Sequence, residues 1–150
     1  MTDKDIFFMR SALEEAGLAF SEGEVPVGAV LLSPQGDVLA RTHNRREALQ
    51  DPTAHAEVIA MREGAKKEGA WRLSGATLYV TKEPCVMCAG TMINARLARL
   101  VYGCDDPKGG ALSLFGLLAD ERLNHCVAVT RGVLADECAS VLKRFFEERR

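Results

Sequence analysis

Short β-rich runs alternate with segments whose apolar residues recur at helical spacing along nearly the whole chain, and this alternation most restricts the fold. Thr2, with Asp5 three positions on, opens like a capping box, and Ile6, Met9, Leu13, Ala16 and Phe20 share one helical face, so a helix is expected to about Ser21. Residues 25–32 and 37–41, joined by the turn Ser33-Pro34-Gln35-Gly36, read as a strand hairpin. Residues 42–52 are polar and end in Asp-Pro, which disfavours helix, so they read as a loop. A second helix is expected over 53–69, with Thr53 as N-cap and Ala54, Val58, Met61 and Ala65 on one face. The run 76–81 is β-rich, Glu83-Pro84 breaks it, and a helix is expected over 85–93. A strand over 97–102, a Gly-rich loop over 105–110, a short helix over 114–118, a strand over 126–130 and a helix over 136–150 complete the reading. Strands alternating with helices give a sheet covered on both faces. With no internal repeat or linker, residues 1–150 read as one domain.

Composition narrows the class. A hydrophobic share of 47%, a charged share of 27% and a net charge of −2 describe an ordinary globular chain, neither disordered nor broadly basic. The amino terminus is charged from its third residue and lacks the apolar core of a secretory signal, and no apolar run approaches a membrane span. A cytoplasmic protein without membrane attachment is expected. In a reducing compartment disulfides are rare, so the five cysteines call for metal binding, redox chemistry or burial.

Chemistry concentrates in His55-Ala56-Glu57 and Pro84-Cys85-Val86-Met87-Cys88. Cysteines three apart at the start of a helix point to one side, where the positive end of the helix favours thiolates. One imidazole from another helix start would complete three zinc ligands and leave the fourth tetrahedral position to water, the catalytic arrangement. Glu57, two residues from His55, then suits a general acid and base that moves protons between water and leaving group. Taken alone, Cys-x-x-Cys is more often a structural zinc half-site or a redox pair than a catalytic site. A thioredoxin-like pair should follow the first strand, however, and a structural site needs a fourth Cys or His and has no use for a neighbouring carboxylate.

H-x-E followed by P-C-x-x-C is the pattern of zinc deaminases acting on nucleobases. Through EVPVGAVL, the Asn44 loop, DPTAHAE, TLYVTKEPCVMCAG, VYG, NHCVAV and GVLADEC, the chain resembles the bacterial tRNA-specific adenosine deaminases of the cytidine deaminase superfamily nearly from end to end. The resemblance implies a three-layer α/β/α fold with a mixed sheet of about five strands. It also implies a homodimer with one Zn²⁺ per subunit and no organic cofactor, converting the wobble adenosine of an arginine tRNA anticodon loop to inosine. It makes His55, Cys85 and Cys88 zinc ligands and Glu57 the proton shuttle. Asn44 would hold the nucleoside, the backbone amide of Ala56 would face the base, and Asp106 would lie near the RNA backbone. A deaminase of a free base or nucleoside (guanine, cytosine or cytidine) is the alternative from the same superfamily.

Other residues read as structural. Cys104, Cys126 and Cys138 are expected to be buried, His43 and His125 to be hydrogen-bonded, Phe145 and Phe146 to anchor the last helix, and Arg149 and Arg150 to be a solvated terminus. Asp105 and Asp106, with Glu147 and Glu148 near the end, suggest a weakened or displaced phosphate-contacting surface.

Overall fold

In the computed structural model, which describes residues 2–149, five strands form one mixed sheet in the order β2-β1-β3-β4-β5. The elements run α1 Asp3–Ser21, β1 Gly28–Leu32, β2 Val38–His43, α2 Arg46–Leu49, α3 Ala56–Glu68, β3 Thr77–Lys82, α4 Val86–Asn94, β4 Arg99–Cys104, α5 Ala111–Phe115, β5 Ala128–Thr130 and α6 Ala135–Glu148, with a short 3-10 turn at Leu117–Ala119. β1 pairs antiparallel with β2 and β3, whereas β3, β4 and β5 run parallel. This is the expected α/β/α architecture.

The period of two along a strand sorts its side chains between two cores. Ala29 and Leu31 of β1, with Leu78 and Val80 of β3, pack beneath α3 and α4 around Met61, Ala89 and Met92. Val30, Leu32, Tyr79 and Val101 face the other way, onto Met9 and Ala12 of α1 and Cys138 of α6. Both faces of the central strands are therefore dry, which is why their sequences read as near-continuous apolar runs. One polar assembly crosses the second core. The buried Asp5 carboxylate accepts from Tyr79 Oη at 2.8 Å and from both terminal nitrogens of Arg99 at 3.0 and 2.8 Å. Arg99 holds that carboxyl down at about 2, chiefly by hydrogen bonding.

Several local expectations change. Thr2 caps α1 by accepting from the Asp5 amide at 3.0 Å, but Asp5 turns inward and does not complete the box. Thr53 is not the cap of α3. Its amide and hydroxyl both bond the Asp51 carboxylate, closing a turn, and His55 takes the cap position. Residues 42–52 contain the end of β2 and the four-residue helix α2. The expected helix over 114–118 splits into α5 and the 3-10 turn because Gly116 adopts φ +59. Cys126 is exposed, since β5 begins only at Ala128. Phe145 is buried against Phe20 whereas Phe146 is exposed, and Arg149 lies 3.6 Å over the Phe145 ring. Arg150 lies outside the described residues. Cys104 and Cys138 are buried, and His43 and His125 are hydrogen-bonded, as expected.

Candidate active site

Two helix starts meet at the ends of the central strands. His55 is the N-cap of α3 and Cys85 the N-cap of α4, and neither side chain folds back to cap its own helix. A cap side chain ordinarily satisfies an exposed amide there. Here both are left free to turn toward each other. His55 Nδ1 lies 3.6 Å from Cys85 Sγ and 3.4 Å from Cys88 Sγ. The three donor atoms fall within 4.8 Å of one another, the only such group among the described residues, and Cys104 is not part of it. One nitrogen and two sulfurs from helix starts match zinc in both softness and number, so the residues present fit that ion and leave one tetrahedral position open.

The Cys85 thiol is pulled down to about 3, first by the Cys88 thiol that donates to it and then by His55. Cys88 is pushed upward by the adjacent Cys85 sulfur and by burial, while the Cys85 sulfur raises His55. Glu57 is 3% exposed, and burial raises its carboxyl above the usual range. It sits in the first turn of α3, where it lines the same cavity as His55 and Cys85.

That cavity measures about 110 Å³ and is also lined by Val25, Val27, Asn44, Arg46, Ala56 and Lys82. Asn44 is buried, with Nδ2 donating to the Val25 carbonyl at 3.1 Å and Oδ1 accepting from the Arg46 amide at 3.2 Å. A carboxamide so held keeps a second N–H and further acceptor capacity for a guest. Ala56 opens α3, so its amide has no acceptor within the helix. Asp106 does not line the cavity. Its carboxylate accepts from the Lys108 and Gly109 amides, each at 3.1 Å, and pairs with Lys82 Nζ at 3.2 Å. Asp105 accepts from Tyr102 Oη at 2.7 Å. Both loop acids are thus engaged locally.

Two buried carboxylates that the sequence does not mark hold the segments next to the site in place. Glu24 accepts from the Glu47 and Ala48 amides at 3.1 and 2.8 Å, fixing α2 beside Asn44. Glu83 accepts from the Asp106 amide at 2.9 Å, from the Leu112 and Ser113 amides at 3.1 and 2.7 Å, and from the Ser113 hydroxyl. A Cβ on Gly110 would lie 2.2 Å from the Glu83 carboxylate, so any larger residue there would have to push that carboxylate off its amide partners. Lys82, the one charged residue of β3 and three positions before Cys85, carried a signal that periodicity alone passes over.

A larger apolar groove of about 420 Å³ lies elsewhere, between α3 and α4, lined by Met61, Ala65, Trp71 and Met87 among others. His55, Glu57, Cys85 and Cys88 do not line it.

The MafB19-like deaminase family model matches residues 2–150. A tRNA-specific adenosine deaminase of Bacillus subtilis is 49% identical over 148 residues, covering 98% of this chain and 91% of that one. The chain belongs to the tRNA-specific adenosine deaminase family. A solved tRNA:A34 deaminase, described as editing A to I at the wobble position of transfer RNA, superposes on this family member with a TM-score of 0.87. It is 45% identical, and the match covers 90% of this chain and 98% of that one. The guanine deaminase of Nitrosomonas europaea shares the fold at a TM-score of 0.80 and 24% identity, covering 93% of this chain and 83% of that one. The fold alone therefore does not separate RNA substrates from free bases. No helix of the described residues is long and apolar enough to cross a membrane.

Proposed function

We propose that this chain hydrolytically deaminates adenosine to inosine at the wobble position of a tRNA anticodon loop, with an arginine tRNA as substrate. The observation that carries the reading is the grouping of His55, Cys85 and Cys88 with the buried Glu57 at one small cavity, in a chain of this family. His55, Cys85 and Cys88 would hold one zinc per subunit, and the ion when bound supplies the Lewis acidity that makes water nucleophilic near neutral pH.

The chain's own residues do the rest. Glu57 takes a proton from the attacking water and delivers it to the departing amine. The water oxygen becomes bonded to C6, the C6–N6 bond breaks, and ammonia leaves. Burial suits Glu57 to that task because a raised pKa brings a carboxyl nearer the working pH. Asn44 and the Ala56 amide hold the base in the cavity. Unstacking a base costs least in a single-stranded loop, which favours an anticodon loop over a paired stem.

The alternative, a free base or nucleoside, would be favoured by a carboxy-terminal segment folded over the cavity. Among the described residues α6 lies instead on the far face of the sheet, against α1 and β4. We propose a homodimer as the working form. We also place the enzyme in the cytoplasm, where its tRNA is.

The test is incubation of the metal-loaded protein with an arginine tRNA anticodon stem-loop, with fully paired RNA, and with free guanine, cytosine and cytidine. Inosine should form on the stem-loop, and Glu57→Ala should keep its metal while losing roughly 100- to 10,000-fold in single-turnover rate. Deamination of a free base with none on the stem-loop would overturn the reading.

A further inference from the structure

A cavity of about 110 Å³ is well below the roughly 300–1,000 Å³ of sites that enclose whole ligands. If a nucleotide is the substrate, its base enters and its ribose and phosphates stay at the mouth. The side chains at that mouth then meet the sugar-phosphate backbone. Two cations line the cavity, the exposed Arg46 from the start of α2 and the half-buried Lys82 from the end of β3, and their partial exposure puts them toward its open side.

Lys82 is held in place. Its ammonium pairs with Asp106 at 3.2 Å while its side chain remains 31% exposed. An ammonium has three donors, so one on Asp106 leaves two for a guest. Asp106 is fixed in turn by the Lys108 and Gly109 amides on its carboxylate and by its own amide on the buried Glu83. Glu83 belongs to the same strand-to-helix junction as Cys85 and also binds the start of α5. This relay sets the lysine relative to the metal-ligating cysteine. It also gives Asp106 a use: the acid holds a cation at the mouth, and the amides on its carboxylate offset part of its charge.

We propose that Lys82 contacts a backbone phosphate flanking the target nucleotide and so positions the RNA over the cavity, with Asp106 aiming the ammonium. The proposal rests on the tRNA reading above. In this role Lys82 acts on the RNA backbone and not on the reacting atoms, so its removal should weaken association and leave chemistry on bound RNA nearly unchanged.

The experiment uses the full-length, metal-loaded protein, the anticodon stem-loop, and the variants Lys82→Met and Lys82→Arg. Affinity is measured across a salt series, with kcat, KM and metal content in parallel. Lys82→Met should raise Kd and KM several-fold, keep kcat within about two-fold and retain its metal. The slope of log affinity against log salt should become shallower by about 0.7, the value for one lost phosphate contact on a single strand. Lys82→Arg should restore both slope and affinity. A Lys82→Met protein that deaminates the stem-loop with the parental slope and KM would overturn this proposal and leave the tRNA reading standing. A parent that neither binds nor deaminates the stem-loop would overturn both.

Discussion

Glu83 offers the clearest test of how the loop after β4 is latched to the strand-to-helix junction that carries Cys85. Replacing it by glutamine keeps the shape and exchanges one carboxylate oxygen for an NH2 group. Oε1 receives the Asp106 amide and the Ser113 hydroxyl, and Oε2 receives the Leu112 and Ser113 amides. With its NH2 in the Oε2 place the new carboxamide would face two amide donors, so it settles with the NH2 in the Oε1 place, where the Ser113 hydroxyl turns to accept from it and only the Asp106 amide loses its partner. A hydrogen bond to a charged group contributes roughly 1.5–3 kcal/mol. Opening of the loop lets water satisfy the freed amide, which keeps the loss near the lower figure, about 1.5 kcal/mol. The change is local, so the assay is amide hydrogen exchange. Protection of the Asp106 amide should fall roughly 10-fold, the equivalent of about 1.4 kcal/mol. Amides of the central strands should change far less. Bound metal should be retained, because His55, Cys85 and Cys88 are untouched. Parental protection at the Asp106 amide would refute the latch.

Two further outcomes follow from other parts of the molecule. Cys88→Ala should purify with much less than one zinc per chain by elemental analysis, and undiminished zinc would remove Cys88 from the metal site. Asp5 is held by Arg99 at about 2, well below the ordinary carboxyl value, so its contribution is present above about pH 4 and lost as pH falls toward 2. Asp5→Asn should therefore be less stable than the parent by about 2 kcal/mol at pH 7, and that gap in urea unfolding should close on acidification. A gap that stays constant from pH 7 to pH 2.5 would show that the Asp5 charge is not what holds the assembly.

What could be read in the sequence, and what could not, divides by the range of the interaction responsible. The strands and long helices are set by spacing within a dozen residues, and the cysteines and histidine are recognisable because their donor chemistry is rare. Where a side chain finds a distant partner, local rules fail. Asp5 looks like the second half of a capping box, but Tyr79 and Arg99, 74 and 94 residues away, hold its carboxylate. Helix α2 has four residues, too few to show a period, and Glu24, 23 and 24 residues upstream, supplies the acceptor for its first amides. Thr53 had the right chemistry for a cap, but Asp51 was nearer. Glu83 precedes the ligand helix and looks like a strand-end acid until the fold brings residues 106–113 onto it. The grouping of His55, Cys85 and Cys88 was legible because each carries its donor atom in its own side chain. The residues that aim them and shape the cavity act through backbone amides supplied by other segments, and a backbone amide leaves no letter in the sequence.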